Sequence, residues 1–199
     1  PLSKEKPKSA VILCHGYGGD GKDISILANY WKAHLPETIF ICPDAPEKCA
    51  ASPTGYQWFD LIDQTPEQVL SKSLVAESKL NKLIDEVKDK NNLLANQIII
   101  GGFSQGCMIS LQTGVKRKDT INSIIGYSGR IIDTDHLRKN IVSKPNIILM
   151  HGDIDQIVPV NSLLEAKDFF NKNNYKIESR IFDNCEHRIP TEGSSLGLQ

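Results

Sequence analysis

Residues 102–106, Gly-Phe-Ser-Gln-Gly, place a serine between two glycines in the pattern G-x-S-x-G. An apolar run, "QIIIG", comes before the pattern, and an apolar helical stretch follows it at once. A serine on a tight turn between a strand and a helix projects its hydroxyl above the sheet, and side chains two residues away on either side would clash. Gly102 and Gly106 remove those side chains. The pattern therefore predicts that Ser104 is a nucleophile for acyl transfer rather than an incidental turn residue.

A serine hydroxyl needs a neighbouring base before it can act as a nucleophile at neutral pH. In this strand–turn–helix arrangement the chain order is serine, acid, histidine, so only the histidines after Ser104 qualify. His136 lies in a polar helical stretch, which indicates a surface residue. His151 ends a predicted strand, where a role in packing or loop support is expected. His187 follows the last predicted strand on a loop at the same sheet edge as Ser104, and we predict it as the base.

The third member of such a site is an acid that orients the imidazole and stabilises the imidazolium. The loop after the apolar run "NIILMHG" offers two carboxylates, Asp153 and Asp155. The spacing rule does not separate them. The aspartate that is not the acid of the site is expected to cap a turn.

The glycine-rich stretch 13–21, "LCHGYGGDG", has two interpretations. It fits the dinucleotide pattern G-x-G-x-x-G, and Asp44 stands roughly where a ribose-binding acid is found. Against this, Asp20 puts a negative charge in the turn, and the next helix is expected to begin only at about Asp23. We favour a loop whose backbone N–H groups meet the negative charge that acyl transfer creates on a carbonyl oxygen. A second such donor is the backbone N–H of Gln105, directly after the nucleophile.

These residues are positioned by short apolar runs that alternate with longer amphipathic ones. The predicted strands cover 9–14, 38–42, 97–101, 121–127, 146–151 and 176–182. The predicted helices cover 23–34 with Asp23 as the N-cap, 66–90, 104–116, 160–171 and the start of one at 191–199. Because parallel strands need crossover connections, this alternation predicts an α/β fold with a mostly parallel central sheet and helices on both faces. Residues 1–199 are expected to form a single domain with no separate lid domain.

Composition excludes several other classes of protein. The chain has 199 residues, of which 40% are hydrophobic and 24% charged, and its net charge is -1, so no nucleic-acid partner is expected. The apolar runs are far shorter than the roughly 20 residues of a membrane span. The N-terminal "PLSKEKPKSA" is polar and lacks the apolar core of a signal peptide. Five irregularly spaced cysteines without C-x-x-C predict neither disulfides nor a metal site, and they favour the cytoplasm.

The motifs "CHGYGGDG", "GFSQGC", "HGDIDQIVP" and "EH" together resemble the carboxylesterase/acyl-protein thioesterase family of α/β-hydrolases, from about residue 9 to the end. The resemblance implies the α/β-hydrolase fold. It implies Asp155 as the acid, since the second aspartate of H-G-D-x-D-x-x-V-P has that role in the family. The implied catalytic triad is then Ser104, Asp155 and His187, and the oxyanion hole has the backbone N–H of Tyr17 beside that of Gln105.

The resemblance also places the long loop 43–65 beside an acyl-binding groove. Its aromatic stretch "GYQWFD" suits an alkyl chain, and Trp58 is the predicted substrate-binding residue, although anchoring the loop on the core is an equally good role. One position departs from the family. Glu186 stands where relatives commonly have glycine before the histidine, and a carboxylate there alters the charge and the loop geometry around the base.

The function that this set implies is a serine esterase that hydrolyses carboxylic esters or thioesters through an acyl-enzyme. Expected substrates are small or acyl-chain esters, lysophospholipids and acylated proteins, and no metal or cofactor is needed. The alternatives are a non-catalytic binding protein with the same fold, which an unreactive Ser104 would indicate, and a serine peptidase using the same triad. The expected assembly is a monomer or a homodimer.

Overall fold

The sheet at the centre of the protein consists of parallel strands. The structure, a computed structural model, describes residues 6–199, so the first five residues of the predicted single domain lie outside the described residues. The strands are β1 (Ser9–Cys14), β2 (Thr38–Ile41), β3 (Glu47–Lys48), β4 (Tyr56–Gln57), β5 (Ile98–Phe103), β6 (Ser123–Tyr127), β7 (Asn146–Gly152) and β8 (Ile177–Phe182). Six of them form the central sheet in the order β2-β1-β5-β6-β7-β8, and β3 pairs with β4 in a separate antiparallel hairpin.

The order of the strands reverses direction beside β1. The chain goes from β1 to β2 on one side and then returns to add β5 on the other side. All neighbouring pairs of the central sheet are parallel, so the carboxyl ends of β1 and β5 lie side by side, with Cys14 opposite Gly102. In open parallel sheets, ligands bind at such a reversal. The glycine-rich loop after β1 and Ser104 after β5 therefore meet at this point.

Helices cover both faces of the sheet, as the alternating pattern predicts. They are α1 (Gly21–Trp31), α2 (Pro66–Asn91), α3 (Gln105–Gly114), α4 (Thr134–Asn140), α5 (Asn161–Lys172) and α6 (Thr191–Leu198). Helices α1 and α6 pack on one face, and α2, α3, α4 and α5 contribute to the core on the other. None of the helices within residues 6–199 combines the length and apolar composition that crossing a membrane requires.

The two faces of the sheet explain why its strands read as continuous apolar runs. Successive side chains of a strand point to opposite faces. In β1, Val11 and Leu13 join the core under α1 and α6, whereas Ala10 and Ile12 join the core on the other face. A strand that is covered on both sides has no polar face, so its sequence does not alternate.

The start of α1 corrects the sequence prediction. The helix begins at Gly21 rather than Asp23, and its N-cap is Asp20, whose side chain accepts a hydrogen bond from the Asp23 N–H at 2.8 Å. The late start was one argument against a dinucleotide site, and that argument is wrong. The side chain of a second aspartate gives another argument against a dinucleotide site. Asp44 Oδ1 accepts a hydrogen bond from the Gly21 N–H at 2.9 Å. Two aspartates thus occupy the helix N-terminus where a phosphate would bind.

Most other element boundaries lie within a few residues of prediction, whereas α4 and the two strands β3 and β4 are not among the predicted elements. Helix α1 ends at Trp31 rather than residue 34, and β6 begins at Ser123 rather than residue 121. The unpredicted hairpin of β3 and β4 lies inside the loop 43–65. Strands of two residues are too short to show an alternating pattern, so no sequence signal marks them.

Helix α3 crosses β1 at very close range, and glycines make this possible. A Cβ atom at Gly106 would overlap the backbone carbonyl of Cys14, and a Cβ atom at Gly102 would overlap the same carbonyl oxygen. Both colliding groups are backbone, which cannot turn aside as a side chain could. These glycines therefore set the distance between the helix and the sheet.

We expect Gly106→Ala to lower the free energy of unfolding by about 1–3 kcal/mol or more, since the added methyl group must push α3 away from β1. Urea denaturation followed by tryptophan fluorescence measures the change. Gly19→Ala is the matched control, because the nearest atom to its added Cβ is the flexible end of Asp23, 3.2 Å away. Equal stability of the two variants would contradict the predicted role of Gly106.

Candidate active site

Ser104 lies on a strained turn between β5 and α3. Its φ of 54° and ψ of -117° are values that residues other than glycine seldom adopt. The Ser104 N–H donates a hydrogen bond to the Tyr127 carbonyl at 2.8 Å, which fixes the turn against β6. Within residues 6–199, the Ser104 hydroxyl has no hydrogen-bond partner. The turn therefore holds a serine at the sheet edge with its oxygen uncommitted.

Asp155 and His187 meet across two loops at the same edge. Asp155 follows β7, His187 follows β8, and 2.7 Å separates Asp155 Oδ2 from His187 Nδ1. The other carboxylate oxygen of Asp155 accepts hydrogen bonds from the N–H groups of Ile157 and Val158, at 2.9 and 2.8 Å. Burial raises the pKa of Asp155, but the bonds from His187 and the two N–H groups outweigh it and hold the pKa below its ordinary value. An ionised Asp155 keeps the proton on Nδ1, so Nε2 of His187 retains a lone pair.

The other aspartate of this loop, Asp153, has a different position. Asp153 is exposed, and its carboxylate accepts a hydrogen bond from the Cys185 N–H at 3.1 Å, while its own N–H donates to the Phe182 carbonyl. It therefore joins the loop after β7 to the loop that carries His187. The structure distinguishes two aspartates that spacing alone left equivalent.

His151 supports the loop after β7, the role that its position predicted. It is buried, and its Nε2 lies 2.7 Å from the Val158 carbonyl oxygen. Burial lowers the pKa of His151, although the Val158 carbonyl and the nearby Asp155 act in the opposite direction. The neutral imidazole therefore acts as a structural donor beside Asp155.

The ring of His187 packs on Phe103, the residue that precedes Ser104. The Phe103 and His187 rings lie 4.7 Å apart between their centres and are tilted by 45°. This contact brings the loop after β8 back over the end of β5. Glu186 directly precedes His187. Its side chain is exposed and makes no hydrogen bond or ion pair with residues 6–199. Its backbone carbonyl accepts from the Arg188 N–H at 2.8 Å.

The two predicted oxyanion donors lie in the loop after β1 and at the first residue of α3. In the described part of the chain, neither the Tyr17 N–H nor the Gln105 N–H donates a hydrogen bond. A Cβ atom at Gly16 would lie 3.4 Å from the Ser104 Cβ, so the loop after β1 approaches the serine closely. Gln105 opens α3, where the helix dipole adds partial positive charge. Its N–H and that of Tyr17 remain available to a bound oxygen.

Buried hydrogen bonds position the loop after β1 and the start of α3. The Gln105 side chain accepts from the Trp58 N–H at 2.8 Å and donates to the Phe59 carbonyl at 2.6 Å. The Ala45 N–H donates to His15 Nε2 at 2.9 Å, which makes Nδ1 the protonated nitrogen, 2.7 Å from the Gly16 carbonyl. With both nitrogens committed, His15 braces the loop, as expected, and carries no proton for catalysis.

Trp58 lies in the core, which corrects the prediction that it lines a substrate groove. It is 3% exposed and belongs to the apolar cluster under α2 and α3. Its Nε1 donates a hydrogen bond to the His15 carbonyl at 3.0 Å. The alternative role, anchoring of the loop 43–65, is the one that its contacts support.

A large apolar groove, which the sequence interpretation missed, opens beside His187. It has a volume of about 580 Å³ and runs between α1 and the segment 187–194. Its apolar walls include Ile24, Ile26, Leu27, Tyr30, Ile189 and Pro190. No residue of the loop 43–65 lines it, so it is a different groove from the acyl-binding groove predicted beside that loop. The available signal was a second apolar stripe on α1, Ile26 and Tyr30, outside the stripe that faces the core.

The thiols near the serine are not nucleophiles. All five cysteines are free, and burial raises the pKa of Cys14 and of Cys107 to about 12. A thiol with such a pKa stays protonated at neutral pH, and the thiolate is the reactive form. Among residues 6–199, no three His, Cys, Asp or Glu side chains are grouped so that they could hold a metal ion.

Comparison with known proteins identifies relatives over nearly the whole chain. Residues 2–194 match the family model described as Phospholipase/Carboxylesterase. Acyl-protein thioesterase 1 of Saccharomyces cerevisiae is 30% identical over an alignment of 206 residues, which covers 95% of this chain and 90% of the relative. Acyl-protein thioesterase 1 of Schizosaccharomyces pombe is 28% identical, with 92% and 85% covered. The crystal structure of esterase PE8 superimposes with a TM-score of 0.94 at 32% identity and covers 100% of this chain and 93% of that one.

We expect the protein to lose stability as the pH falls, with Asp155 contributing to the most acidic part. The folded pKa of Asp155 lies below the unfolded value of about 3.9, so its stabilisation is present above that value and is lost as the pH falls through the folded pKa. His151 also has a lowered pKa, so the unfolded chain binds its proton first, from about pH 6.5 downward.

Urea denaturation of the wild type and Asp155→Asn between about pH 7 and pH 3 measures both slopes. The variant should have a shallower slope below about pH 4, with Asp60 and Asp119, whose pKa values are also lowered, accounting for what remains, and it should still lose stability from about pH 6.5 downward through His151. Asp183→Asn, at an exposed position, is the control and should follow the wild type. Parallel wild-type and Asp155→Asn curves below about pH 4 would contradict the assignment.

Proposed function

The chain belongs to the phospholipase/carboxylesterase family and is a carboxylic ester hydrolase, and we propose that Ser104, His187 and Asp155 form its catalytic triad within one domain of residues 1–199. The observation that carries the proposal is the 2.7 Å contact between His187 and the buried Asp155, beside a serine on a strained turn. Ser104, Asp155 and His187 follow β5, β7 and β8, so all three lie at the carboxyl edge of the parallel sheet. Their chain order is that of a nucleophile, an acid and a base.

In the first half of the reaction, His187 Nε2 removes the proton from the Ser104 hydroxyl as its oxygen attacks the substrate carbonyl carbon. The carbonyl oxygen becomes negatively charged and is stabilised by the N–H groups of Tyr17 and Gln105. Asp155 stabilises the imidazolium that forms. His187 then gives its proton to the leaving oxygen or sulfur, and the acyl group remains on Ser104.

In the second half, water takes the place of the leaving group beside His187. The imidazole removes a proton from this water, whose oxygen attacks the acyl carbon. The same two N–H groups stabilise the second tetrahedral intermediate, and the proton returns to the Ser104 oxygen as the acid product leaves. Neither half requires a cofactor.

The proposed substrates are esters and thioesters that carry acyl chains. Two fungal relatives bear the name acyl-protein thioesterase 1, which supports thioesters of acylated proteins as one class. The family description supports lysophospholipids as another, and esterase PE8 supports small carboxylic esters. Five free cysteines favour the reducing cytoplasm as the compartment.

We expect Ser104→Ala to lower kcat/KM by at least about three orders of magnitude on every substrate of the enzyme, because no other group replaces the nucleophile. The measurement uses p-nitrophenyl esters from acetate to palmitate and a matched palmitoyl thioester. Ser78→Ala, at an exposed position of α2, is the control and should keep the wild-type rate.

A fluorophosphonate probe provides an independent readout. It should label the wild type and Ser78→Ala but not Ser104→Ala, and circular dichroism should show the same fold for all three. A wild type that neither hydrolyses any ester nor reacts with the probe would favour the non-catalytic alternative. Hydrolysis that persists in Ser104→Ala would mean that another residue is the nucleophile.

A further inference from the structure

We propose that the groove between α1 and the segment 187–194 binds the alkyl chain of the leaving group and that it also admits a medium-chain alcohol as an acyl acceptor. The inference rests on the proposed function, because it takes His187 as the group that protonates the leaving atom. It differs from the sequence expectation, which concerned an acyl-binding groove beside the loop 43–65. Here the occupant is the other half of the substrate.

The groove reaches the base but not the nucleophile. His187 and Phe103, whose rings lie 4.7 Å apart, form part of its lining. Tyr17 of the loop after β1 also lines it, whereas neither Ser104 nor Gln105 does. A substrate chain that lies in the groove therefore joins the reacting centre between His187 and the loop after β1.

The chemistry assigns that side to the leaving group. In the proposed mechanism, His187 gives its proton to the leaving oxygen or sulfur, so this atom must lie against the imidazole. The acyl carbon is instead bonded to Ser104, with its oxygen directed at the Tyr17 and Gln105 N–H groups. A chain attached to the leaving atom thus starts at His187, where the groove begins, whereas an acyl chain starts at Ser104.

The walls of the groove suit an alkyl chain. From Asp23 to Tyr30, helix α1 rises by about 10 Å, which is long enough for a medium-length chain. Ile26 is 75% exposed and Tyr30 is 46% exposed, so this helix presents apolar surface that residues 6–199 leave uncovered. At the far end, the Tyr30 hydroxyl lies 3.5 Å from the Ser195 hydroxyl of α6 and joins the two walls.

The same site makes acyl transfer to an alcohol possible once the first product has left. An alcohol whose chain occupies the groove places its hydroxyl beside His187, where water otherwise reacts. Its oxygen bonds to the acyl carbon, the bond between that carbon and Ser104 Oγ breaks, and the alcohol proton passes through His187 to Ser104. The products are a new ester and the free enzyme, so the step is acylation run in reverse.

Two isomeric esters separate the two halves of the substrate. Octyl acetate has its long chain on the leaving group, and ethyl octanoate has it on the acyl group. We expect Ile26→Asp and Tyr30→Ser to lower the ratio of kcat/KM for octyl acetate to that for ethyl octanoate by about tenfold, since a hydrophobic pocket discriminates its chain by such factors. Val75→Asp, at a 55% exposed position on α2, is the matched control and should leave the ratio unchanged.

Acyl transfer gives a second readout with p-nitrophenyl acetate as the donor. Added 1-octanol should yield octyl acetate in competition with acetate, with saturation in octanol, and this fraction should fall in Ile26→Asp. An unchanged ester ratio in both groove variants would overturn the proposal. A ratio that rises would also overturn it, because the groove would then hold the acyl chain. Failure of the wild type on both esters together with no fluorophosphonate labelling would instead refute the proposed function itself.

Discussion

The close crossing of α3 over β1 is the constraint on which the rest of the site depends. Gly102 and Gly106 let the helix approach until only backbone separates it from Cys14. This crossing forces Ser104 into a backbone conformation that its type avoids and directs the first turn of α3 toward the loop after β1. A small change in the distance would separate the serine from both of its flanking loops.

Hydrogen bonds from polar side chains hold the loops around this crossing in place. His15, Gln105 and Trp58 connect the loops after β1 and β2 to the start of α3, each through bonds to backbone groups. Asp153 and Asp155 connect the loop after β7 to the loop after β8. Each of these two sets joins neighbouring loops through shared partners, so the loops within a set hold one another in place.

The sequence predicted the features that follow from strong local patterns. Apolar runs gave the parallel sheet, and G-x-S-x-G gave the turn at Ser104, since both patterns are set by backbone geometry. The choice between Asp153 and Asp155 depended on which side chain turns inward, which spacing two residues apart does not specify. The burial of Trp58 and the groove along α1 depend on contacts between distant segments, which residue type alone does not specify.

The strained turn at Ser104 has a consequence for how this position is selected. A backbone conformation like that of Ser104 costs about 1–3 kcal/mol. This is a sizeable part of the free energy of unfolding of a domain, which is roughly 5–15 kcal/mol. Glycine adopts such a conformation with little strain, so selection for folding alone would favour glycine at this position. With a serine there, the role of nucleophile that we propose for Ser104 comes at a cost in thermodynamic stability.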